Sequence, residues 1–295
     1  MNADRKVWLE VALNGPWGRD RQQGIPVTVE EIVSEGIACA KAGAAIVHVH
    51  AYDAETGLQK DDADLYSPII EGIQAEVDVI VYPSVPLTGD ERVGNIGGAA
   101  ERFAAVAELG RRGLIEWAVV DPGSVNFERY ADLLRGKDGF IYRNPPADIS
   151  EGLDLAERYN FHPSYAIYEP GFLRLGAELA RARPEMPTPI YRFMFSDEFT
   201  FGFAPRRYAL NAYLQLLEEE APGSQWMVAG LGVEIDPLIE MTLAAGGHLR
   251  VGLEDAVFGT SKSNVALVEE AVEKVDSFGG KLASAEDVRH ALKPS

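Results

Sequence analysis

Short runs of β-branched and apolar residues alternate with longer amphipathic stretches along the whole chain, and no other feature limits the possible folds as strongly. Eight runs have the composition of buried strands: 7–13, 46–50, 79–83, 117–120, 165–168, 190–194, 226–229 and 249–253. The stretches between them have helical spacing, and this alternation predicts parallel β-α-β units. Eight units without a Pro/Ser linker predict an α/β fold of the (β/α)8, or TIM barrel, type. We expect one barrel domain over residues 1–295, with a C-terminal helical extension.

A doubly wound parallel sheet is the alternative arrangement of such units. Its nucleotide-binding version carries G-x-G-x-x-G after the first strand, and this chain has no such motif there. Thr28 and Glu31 have the spacing of a capping box at the start of the first long helix, and Gly43 stands where that helix should end.

Composition excludes several classes of function. The chain has 27 basic and 46 acidic residues, a formal charge of −19, so we expect no binding to nucleic acid or to anionic membranes, which are themselves polyanions. No apolar stretch approaches the roughly 18 residues of a membrane span, and residues 1–13 lack the pattern of a signal peptide. The single cysteine, Cys39, cannot form an internal disulfide. We expect a cytoplasmic protein.

The second predicted strand contains two histidines, His48 and His50, separated by one residue. Side chains alternate across a strand, so both imidazoles point to one side, which in a barrel is the interior. Two imidazoles in an apolar interior require hydrogen bonds or a metal ion. A structural histidine pair is the alternative, but the position at the C-terminal end of a barrel strand favours metal binding.

The eighth predicted strand supplies a carboxylate for the same site. Arg250, Gly252 and Glu254 fall on one face, where Gly252 would keep the space between the other two empty. His48, His50 and Glu254 would then form the His₂Glu set of a catalytic zinc site, a set that also suits ferrous iron.

Arg250 and Asp255 form a second candidate pair on this segment. A guanidinium can orient a carboxylate and keep it ionised. Such a carboxylate could remove a proton from a carbon next to a carbonyl, if a metal stabilises the enolate. A structural ion pair at the barrel rim is the alternative.

Polar residues also follow other predicted strands: Asn14, Ser84, Ser124, Asn126 and Glu169. Each is also typical of a loop cap. Several polar groups that converge at the C-terminal ends of strands are nevertheless what a barrel active site requires.

Four segments resemble the β-keto acid cleavage enzymes, and the resemblance runs from Val7 to Leu292. They are IVHVH at 46–50, YEPG at 168–171, AGLG at 229–232 and GGHLRVGLED at 246–255. The resemblance implies a zinc-dependent TIM barrel, a homotetramer in this family, that exchanges acyl groups between a β-keto acid and acetyl-CoA. The products would be acetoacetate and a new acyl-CoA.

The same resemblance implies a role for each candidate residue. His48, His50 and Glu254 match zinc ligands, and Arg250 with Asp255 matches the dyad that deprotonates the substrate. The remaining matches are an active-site hydroxyl at Ser84, residues near the substrate carboxylate at Ser124 and Asn126, and a pocket glutamate at Glu169.

Trp17 stands near the place where members of this family carry a glutamate that recognises a substrate ammonium group. An indole cannot replace a carboxylate, although its face could hold a cation. We therefore expect a substrate with a neutral or apolar side chain. Tyr52, Val85 and Ala256 depart from the family pattern as well, and they concern the substrate more than the zinc.

Binding of CoA to a chain of charge −19 requires a local cationic patch, because CoA is a polyanion. Arg206 and Arg207 after the sixth predicted strand are the candidates for this role, with Arg19 and Arg21 as the second choice. Two alternatives to the transferase remain open, a metal-dependent hydrolase or aldolase on the same barrel, and a barrel that binds a keto acid or acyl-CoA without catalysis.

Overall fold

Strands and helices alternate in the computed structural model as the sequence predicts. The structure describes residues 6–53, 55–88 and 97–293. Its strands are β1 (Lys6–Val7), β2 (Leu9–Ala12), β3 (Ile46–Val49), β4 (Ile80–Pro83), β5 (Trp117–Val119), β6 (Val125–Phe127), β7 (Phe140–Tyr142), β8 (His162–Ile167), β9 (Ile190–Phe195), β10 (Trp226–Gly230), β11 (His248–Val251) and β12 (Lys281–Leu282). Its helices are α1 (Val29–Ala42), α2 (Ala63–Gln74), α3 (Ala99–Arg102), α4 (Ala104–Arg111), α5 (Tyr130–Leu133), α6 (Pro146–Tyr159), α7 (Pro170–Arg181), α8 (Arg207–Glu220), α9 (Asp236–Ala245), α10 (Asn264–Ser277) and α11 (Ala285–Ala291).

Eight parallel strands of the described residues form one sheet, in the order β4-β3-β2-β11-β10-β9-β8-β5. The two strands at the ends of this order, β4 and β5, pack against each other, so the sheet curls almost into a closed barrel. Helices such as α1, α2 and α10 pack on strands β3, β4 and β11. The prediction of a (β/α)8 barrel is confirmed.

The first long helix begins and ends at the residues that the sequence indicates. Thr28 accepts a hydrogen bond from the backbone N–H of Glu31, and the Glu31 carboxylate accepts one from the Thr28 backbone in return. At the other end Gly43 adopts a φ of 128°, a conformation that favours glycine because a side chain would be strained there. Reciprocal capping satisfies backbone donors that the helix itself leaves open.

Strand β3 shows how the barrel divides its residues between two environments. Val47 lies within van der Waals distance of Gly36 on α1, on the outside of the sheet. His48 points inward and stands in register with Ala12 on β2 and with Tyr82 on β4. This alternation places polar residues from neighbouring strands side by side in the barrel interior.

The stretch of helical spacing between the third and fourth predicted strands is divided into α3 and α4 at Phe103. Phe103 leaves helical geometry with a ψ of 10°, and its buried ring packs against Gly152 of α6. Tertiary packing of this ring on the neighbouring helix accompanies the break, a contact that the helical spacing of the sequence does not contain.

The last barrel strand ends at Val251, two residues earlier than predicted, because Gly252 turns the chain with a φ of 134°. A Cβ atom on Gly252 would overlap the backbone carbonyl of Ala12, so this glycine permits close approach of two backbones. The expectation that Gly252 keeps the space between Arg250 and Glu254 empty is wrong. Glu254 lies in the turn that follows the strand, so strand alternation does not determine its orientation.

Additional elements surround the barrel. Strands β6 and β7 pair antiparallel in the long connection that leads from β5 to α6. The short strands β1 and β12 pair parallel, and α11 follows them as part of the predicted C-terminal extension. No helix in the described ranges combines the length and the apolar character that crossing a membrane needs.

We expect Gly252→Ala to lower the free energy of unfolding by roughly 3 kcal/mol or more, since backbone strain and overlap with Ala12 add to each other. Urea denaturation followed by circular dichroism measures this loss. Gly279→Ala is the matched control, because Gly279 has a φ of 71° but open space at its Cβ position. The control should lose only about 1 kcal/mol. Equal losses in the two variants would contradict the role assigned to close backbone approach.

Candidate active site

Three side chains converge at the C-terminal end of the barrel. Nε2 of His48 and Nε2 of His50 each lie 3.5 Å from Oε2 of Glu254, and the two Nε2 atoms are 3.2 Å apart. His48 belongs to β3, His50 follows that strand, and Glu254 comes from the turn after β11. All three side chains are largely buried, and their ligand atoms lie within 4.8 Å of one another.

These spacings fit a metal ion. Donor atoms around a tetrahedral zinc ion stand about 3.3 Å apart, given bonds of about 2.0–2.1 Å. Oε2 of Glu254 is buried and has no hydrogen-bond partner among the described residues. A buried carboxylate oxygen without a partner, placed between two imidazole nitrogens, is what a site built for a cation contains. His48, His50 and Glu254 could therefore hold zinc, and by the same chemistry ferrous iron.

A hydrogen-bonded chain orients His50 for this role. The amide nitrogen of Gln59 donates to Asp61 at 2.7 Å, which directs the amide oxygen of Gln59 toward Nδ1 of His50 at 2.9 Å. Nδ1 then carries the proton, and Nε2 keeps the lone pair that a metal needs. Burial lowers the pKa of His48 well below its usual value, so its ring is neutral as well.

Arg250 connects the candidate metal ligand to the predicted base. Its Nε and Nη2 donate to the two oxygens of Asp255 at 2.7 and 2.9 Å, and Nη2 also lies 2.8 Å from Oε1 of Glu254. Burial raises the pKa of Asp255 to about 6, although Arg250 stabilises its charged form. Burial also opposes ionisation of Glu254, but Arg250 and the two histidines together hold the pKa of Glu254 well below its usual range.

A cavity opens beside the three candidate ligands, and several aromatic side chains line it. Its described lining consists of Pro16, Trp17, His48, His50, Ser84, Val85, Leu87, Val119, Asp121, Phe127, Tyr142, Tyr168, Arg192, Leu231 and Glu254. Asp255 and Arg250 are not part of this lining; both are buried behind Glu254. Arg250 and Asp255 thus form the pair that the sequence predicts, but Glu254 separates this pair from the cavity surface.

Two of the other predicted site residues reach the cavity. Ser84 lines it, with its hydroxyl donating to the carbonyl of Val85 at 3.2 Å. Trp17 lines it too, and its indole N–H donates to the backbone carbonyl of Glu254 at 2.8 Å. The guanidinium of Arg21 lies 5.1 Å from the centroid of the Trp17 ring, so a cation of the chain itself occupies one face of the indole.

Ser124, Asn126 and Glu169 lie outside the cavity lining. Ser124 and Asn126 are exposed, while the neighbouring Phe127 points into the cavity. Extended segments alternate their side chains, so a segment that turns Phe127 inward turns Asn126 outward. Glu169 likewise follows an inward residue, Tyr168, and its carboxylate accepts the backbone N–H of Gly202 at 3.0 Å.

The arginines predicted to bind CoA are exposed at the start of α8. Arg206 precedes the helix and lies 3.3 Å from Oδ2 of Asp197, whose charge offsets its own. Arg207 is the first residue of α8 and is exposed. Among the second-choice residues, Arg19 forms an ion pair with Glu31 at 2.7 Å.

The sequence analysis missed a group of polar residues deeper in the barrel. Glu10 on β2 is fully buried, accepts the hydroxyl of Tyr82 at 2.6 Å and lies 3.0 Å from Nη1 of Arg250. Asp121 and Arg192 line the cavity itself. A charged residue inside an otherwise apolar strand, as with Glu10 and Arg192, is the signal that could have identified them.

Comparison with known proteins supports a single family. The family model described as beta-keto acid cleavage enzyme matches residues 6–293. The chain is 29% identical over 312 residues to the 3-dehydrocarnitine:acetyl-CoA trimethylamine transferase of Rhizobium meliloti strain 1021, covering 99% of this chain and 98% of that protein. It is 28% identical over 280 residues to the 3-keto-5-aminohexanoate cleavage enzyme of Fusobacterium nucleatum subsp. nucleatum, covering 93% of this chain and 92% of that protein.

Solved structures share the fold. The apo structure of ObcA is similar with a TM-score of 0.69 and 17% sequence identity, covering 91% of this chain and 65% of that one. At this level of identity the likeness concerns the barrel architecture alone.

We expect His48→Ala and Glu254→Ala to lose bound zinc, because two remaining protein ligands are too few to hold it. Gln59→Ala should keep the ligands but weaken zinc affinity by about 10- to 100-fold, since His50 loses its orienting partner. Competition with a chelator, followed by elemental analysis, measures both effects. Gln74→Ala is the control on α2, outside the site. One zinc per chain retained by either ligand variant would contradict the assignment.

Proposed function

The chain belongs to the family of β-keto acid cleavage enzymes, and on this premise we propose that it condenses a β-keto acid with acetyl-CoA and releases acetoacetate and a new acyl-CoA. The observation that carries the proposal is that the candidate ligands His48, His50 and Glu254 line the cavity, and that the Arg250–Asp255 pair contacts Glu254 directly behind them. A metal site next to a positioned carboxylate suits proton removal from a carbon beside a carbonyl.

The first step that we propose is proton transfer to Asp255. A pKa of about 6 leaves most of this carboxylate ionised at neutral pH, and makes it a stronger base than an ordinary aspartate. Arg250 orients both of its oxygens through two parallel hydrogen bonds. Because Nη2 of Arg250 also contacts Glu254, the base and the metal ligand are positioned by one guanidinium. Zinc bound at His48, His50 and Glu254 would act as a Lewis acid that stabilises the enolate.

Carbon–carbon bond exchange follows from the enolate. The substrate α-carbon attacks the thioester carbonyl of acetyl-CoA, and the carbon–sulfur bond breaks to release CoA thiolate. The thiolate then attacks the original keto carbon, the bond between that carbon and the α-carbon breaks, and the acetoacetate enolate takes back the proton held by Asp255. A β-keto acid and acetyl-CoA thus become a new acyl-CoA and acetoacetate, in a retro-Claisen reaction. We assign the hydroxyl of Ser84, which lines the cavity, to hydrogen bonding with the reacting oxygens.

The residues that line the cavity indicate which side chain of the keto acid would be favoured. Trp17, Phe127, Tyr142 and Tyr168 line the cavity, and the three last rings pack edge to face with centroids 5.1 to 5.9 Å apart. Aromatic walls of this kind favour an apolar substituent. The aromatic lining supports the expectation that the substrate carries a neutral or apolar side chain. The cytoplasmic location and the homotetramer stay predictions.

Production of acetoacetate from acetyl-CoA and a panel of β-keto acids tests the proposal. Dependence on both substrates, together with formation of a new acyl-CoA, would support it. Breakdown of the keto acid without acetyl-CoA would favour a hydrolase or an aldolase. Binding without turnover of any member of the panel would favour a non-catalytic barrel.

We expect Asp255→Asn to reduce turnover by at least about 10²-fold, because the variant keeps the shape of the side chain and loses the proton acceptor. Zinc content should be unchanged, since His48, His50 and Glu254 are intact. Asp148→Asn is the matched control, because Asp148, like Asp255, is buried, outside the cavity lining and paired with an arginine, but no ion pair to a candidate metal ligand is described for its partner Arg102. Its turnover should stay close to that of the wild type.

Exchange of the keto acid α-protons with D₂O gives a second measurement on the same variants. The enzyme-dependent part of this exchange should vanish in Asp255→Asn. Near wild-type exchange and turnover would remove Asp255 from the mechanism, and loss of zinc would show that Asp255 rather than Glu254 is a ligand.

For CoA, we propose that the phosphates lie near Arg206 and Arg207, on the loop that leads from β9 into α8. The double variant Arg206→Glu, Arg207→Glu should raise the KM for acetyl-CoA, and raise the KM for the keto acid less, because CoA carries most of the negative charge. Lys41→Glu with Lys281→Glu makes the same change in net charge at exposed sites elsewhere on the barrel. An unchanged KM for acetyl-CoA would contradict this assignment and make Arg19 and Arg21 the next candidates for binding the CoA phosphates.

A further inference from the structure

The described residues that line the cavity include one arginine, Arg192, which the mechanism above does not use. It lies on β9, is 3% exposed and points into the barrel. Its Nη1 donates to the hydroxyl of Tyr82 at 2.9 Å and to that of Ser164 at 2.7 Å. Oε1 of Glu10 is 3.8 Å from the same nitrogen. These contacts fix the position of the guanidinium from one side.

The other side of the guanidinium has no described protein partner. Nε of Arg192 has no hydrogen-bond partner among the described residues, and the bonds described for this side chain all use Nη1. The edge formed by Nε and Nη2 presents two parallel N–H donors, the fork that matches the two oxygens of a carboxylate. A buried guanidinium with an unused edge is costly without a partner.

No carboxylate of the cavity wall fills this edge. Asp121 is the cavity carboxylate that could pair with this edge, because Arg192 stabilises its charged form. Both oxygens of Asp121 already accept hydrogen bonds, from the hydroxyl of Tyr142 and from the backbone N–H of Ala166, each at 2.7 Å. Glu254 directs its own oxygens toward Arg250 and the two histidines.

Arg192 also shares the cavity with the candidate metal centre, because His48 and Glu254 line it as well. The ring of Tyr82, whose hydroxyl binds Arg192, packs on the imidazole of His48 with centroids 4.5 Å apart. By contrast, Ser124 and Asn126, the residues expected to lie near the substrate carboxylate, are exposed and outside the cavity lining.

We propose that Arg192 binds the carboxylate of the β-keto acid through its Nε–Nη2 edge and thereby positions the α-carbon beside the metal centre. The inference rests on the proposed function for the identity of the substrate. It assigns to a residue inside the barrel a recognition task that the sequence resemblance places at the rim. It predicts that acids are bound in preference to the corresponding neutral esters.

Calorimetric titration of the zinc-loaded chain with acetoacetate and with methyl acetoacetate tests the proposal. The two ligands differ in the charge of one group, so their affinity ratio reports on carboxylate recognition. Arg192→Gln should lower the affinity for acetoacetate by about 10- to 100-fold, the range for a hydrogen bond to a charged group. The affinity for the ester should stay within about twofold of the wild-type value. Arg192→Lys keeps the charge but loses the fork, so it should recover only part of the affinity for acetoacetate.

Two control variants accompany the titration. Arg102→Gln makes the same change at a buried arginine that pairs with Asp148 outside the cavity lining, and both affinities should be retained. Ser124→Ala with Asn126→Ala removes the rim residues, and the affinity ratio should again be that of the wild type. Zinc content and thermal unfolding are measured for each protein, and Arg192→Lys serves as the decisive variant if Arg192→Gln does not fold.

The inference is overturned if the wild type does not bind acetoacetate, if an Arg192 variant keeps the wild-type preference, or if it weakens both ligands equally. Loss of the preference in the Ser124 and Asn126 double variant instead would overturn it as well. Arg192-dependent binding in an enzyme that makes no acetoacetate would contradict the proposed function and leave the carboxylate site standing. Production of acetoacetate by an enzyme whose carboxylate binding does not depend on Arg192 would support the proposed function and contradict the role of Arg192.

Discussion

The guanidinium of Arg250 touches three buried carboxylates, those of Glu10, Glu254 and Asp255, and the candidate active site depends on this contact. Each carboxylate alone would favour its neutral form in the barrel interior, because burial disfavours charge. Arg250 allows Glu254 to stay ionised as a metal ligand while Asp255 keeps a pKa of about 6. One cation thus sustains two carboxylates with different properties. Removing it would leave uncompensated charges in the interior.

The barrel makes this concentration of charge possible. Adjacent parallel strands place residues in register, so that Glu10 stands directly beside Arg250 and His48 beside Tyr82. From Glu10 the network continues through the hydroxyl of Tyr82 to Arg192, whose Nη1 lies 3.8 Å from the same Glu10 oxygen that Arg250 contacts. Two arginines therefore share the same small interior with the three ligands. We propose different tasks for them, with Arg250 acting on residues of the chain and Arg192 on the substrate.

The sequence predicts side-chain orientation where the periodicity of a strand sets it, and does not predict it where a turn follows the strand. His48 and His50 are brought together because a strand alternates its side chains. Glu254 lies beside the two histidines, but strand alternation does not bring it there, since the strand ends before it and a glycine turn carries it inward. Asn126 and Glu169 are polar residues near strand ends, but each has an inward aromatic neighbour that turns it away from the cavity. Ser124, two residues before Asn126, is exposed on the same side.

The sequence by itself determined the barrel, its eight strands, the capping of its first helix and the common orientation of His48 and His50. These properties follow from periodicity, turn chemistry and short motifs, which are local. Only the tertiary structure decided that Asp255 lies behind Glu254, that Phe103 divides a helix, and that Arg192 lines the cavity with one edge unused. Such relations depend on which residues of distant strands face each other across the barrel. No local pattern contains them, because closure of the sheet sets those distances.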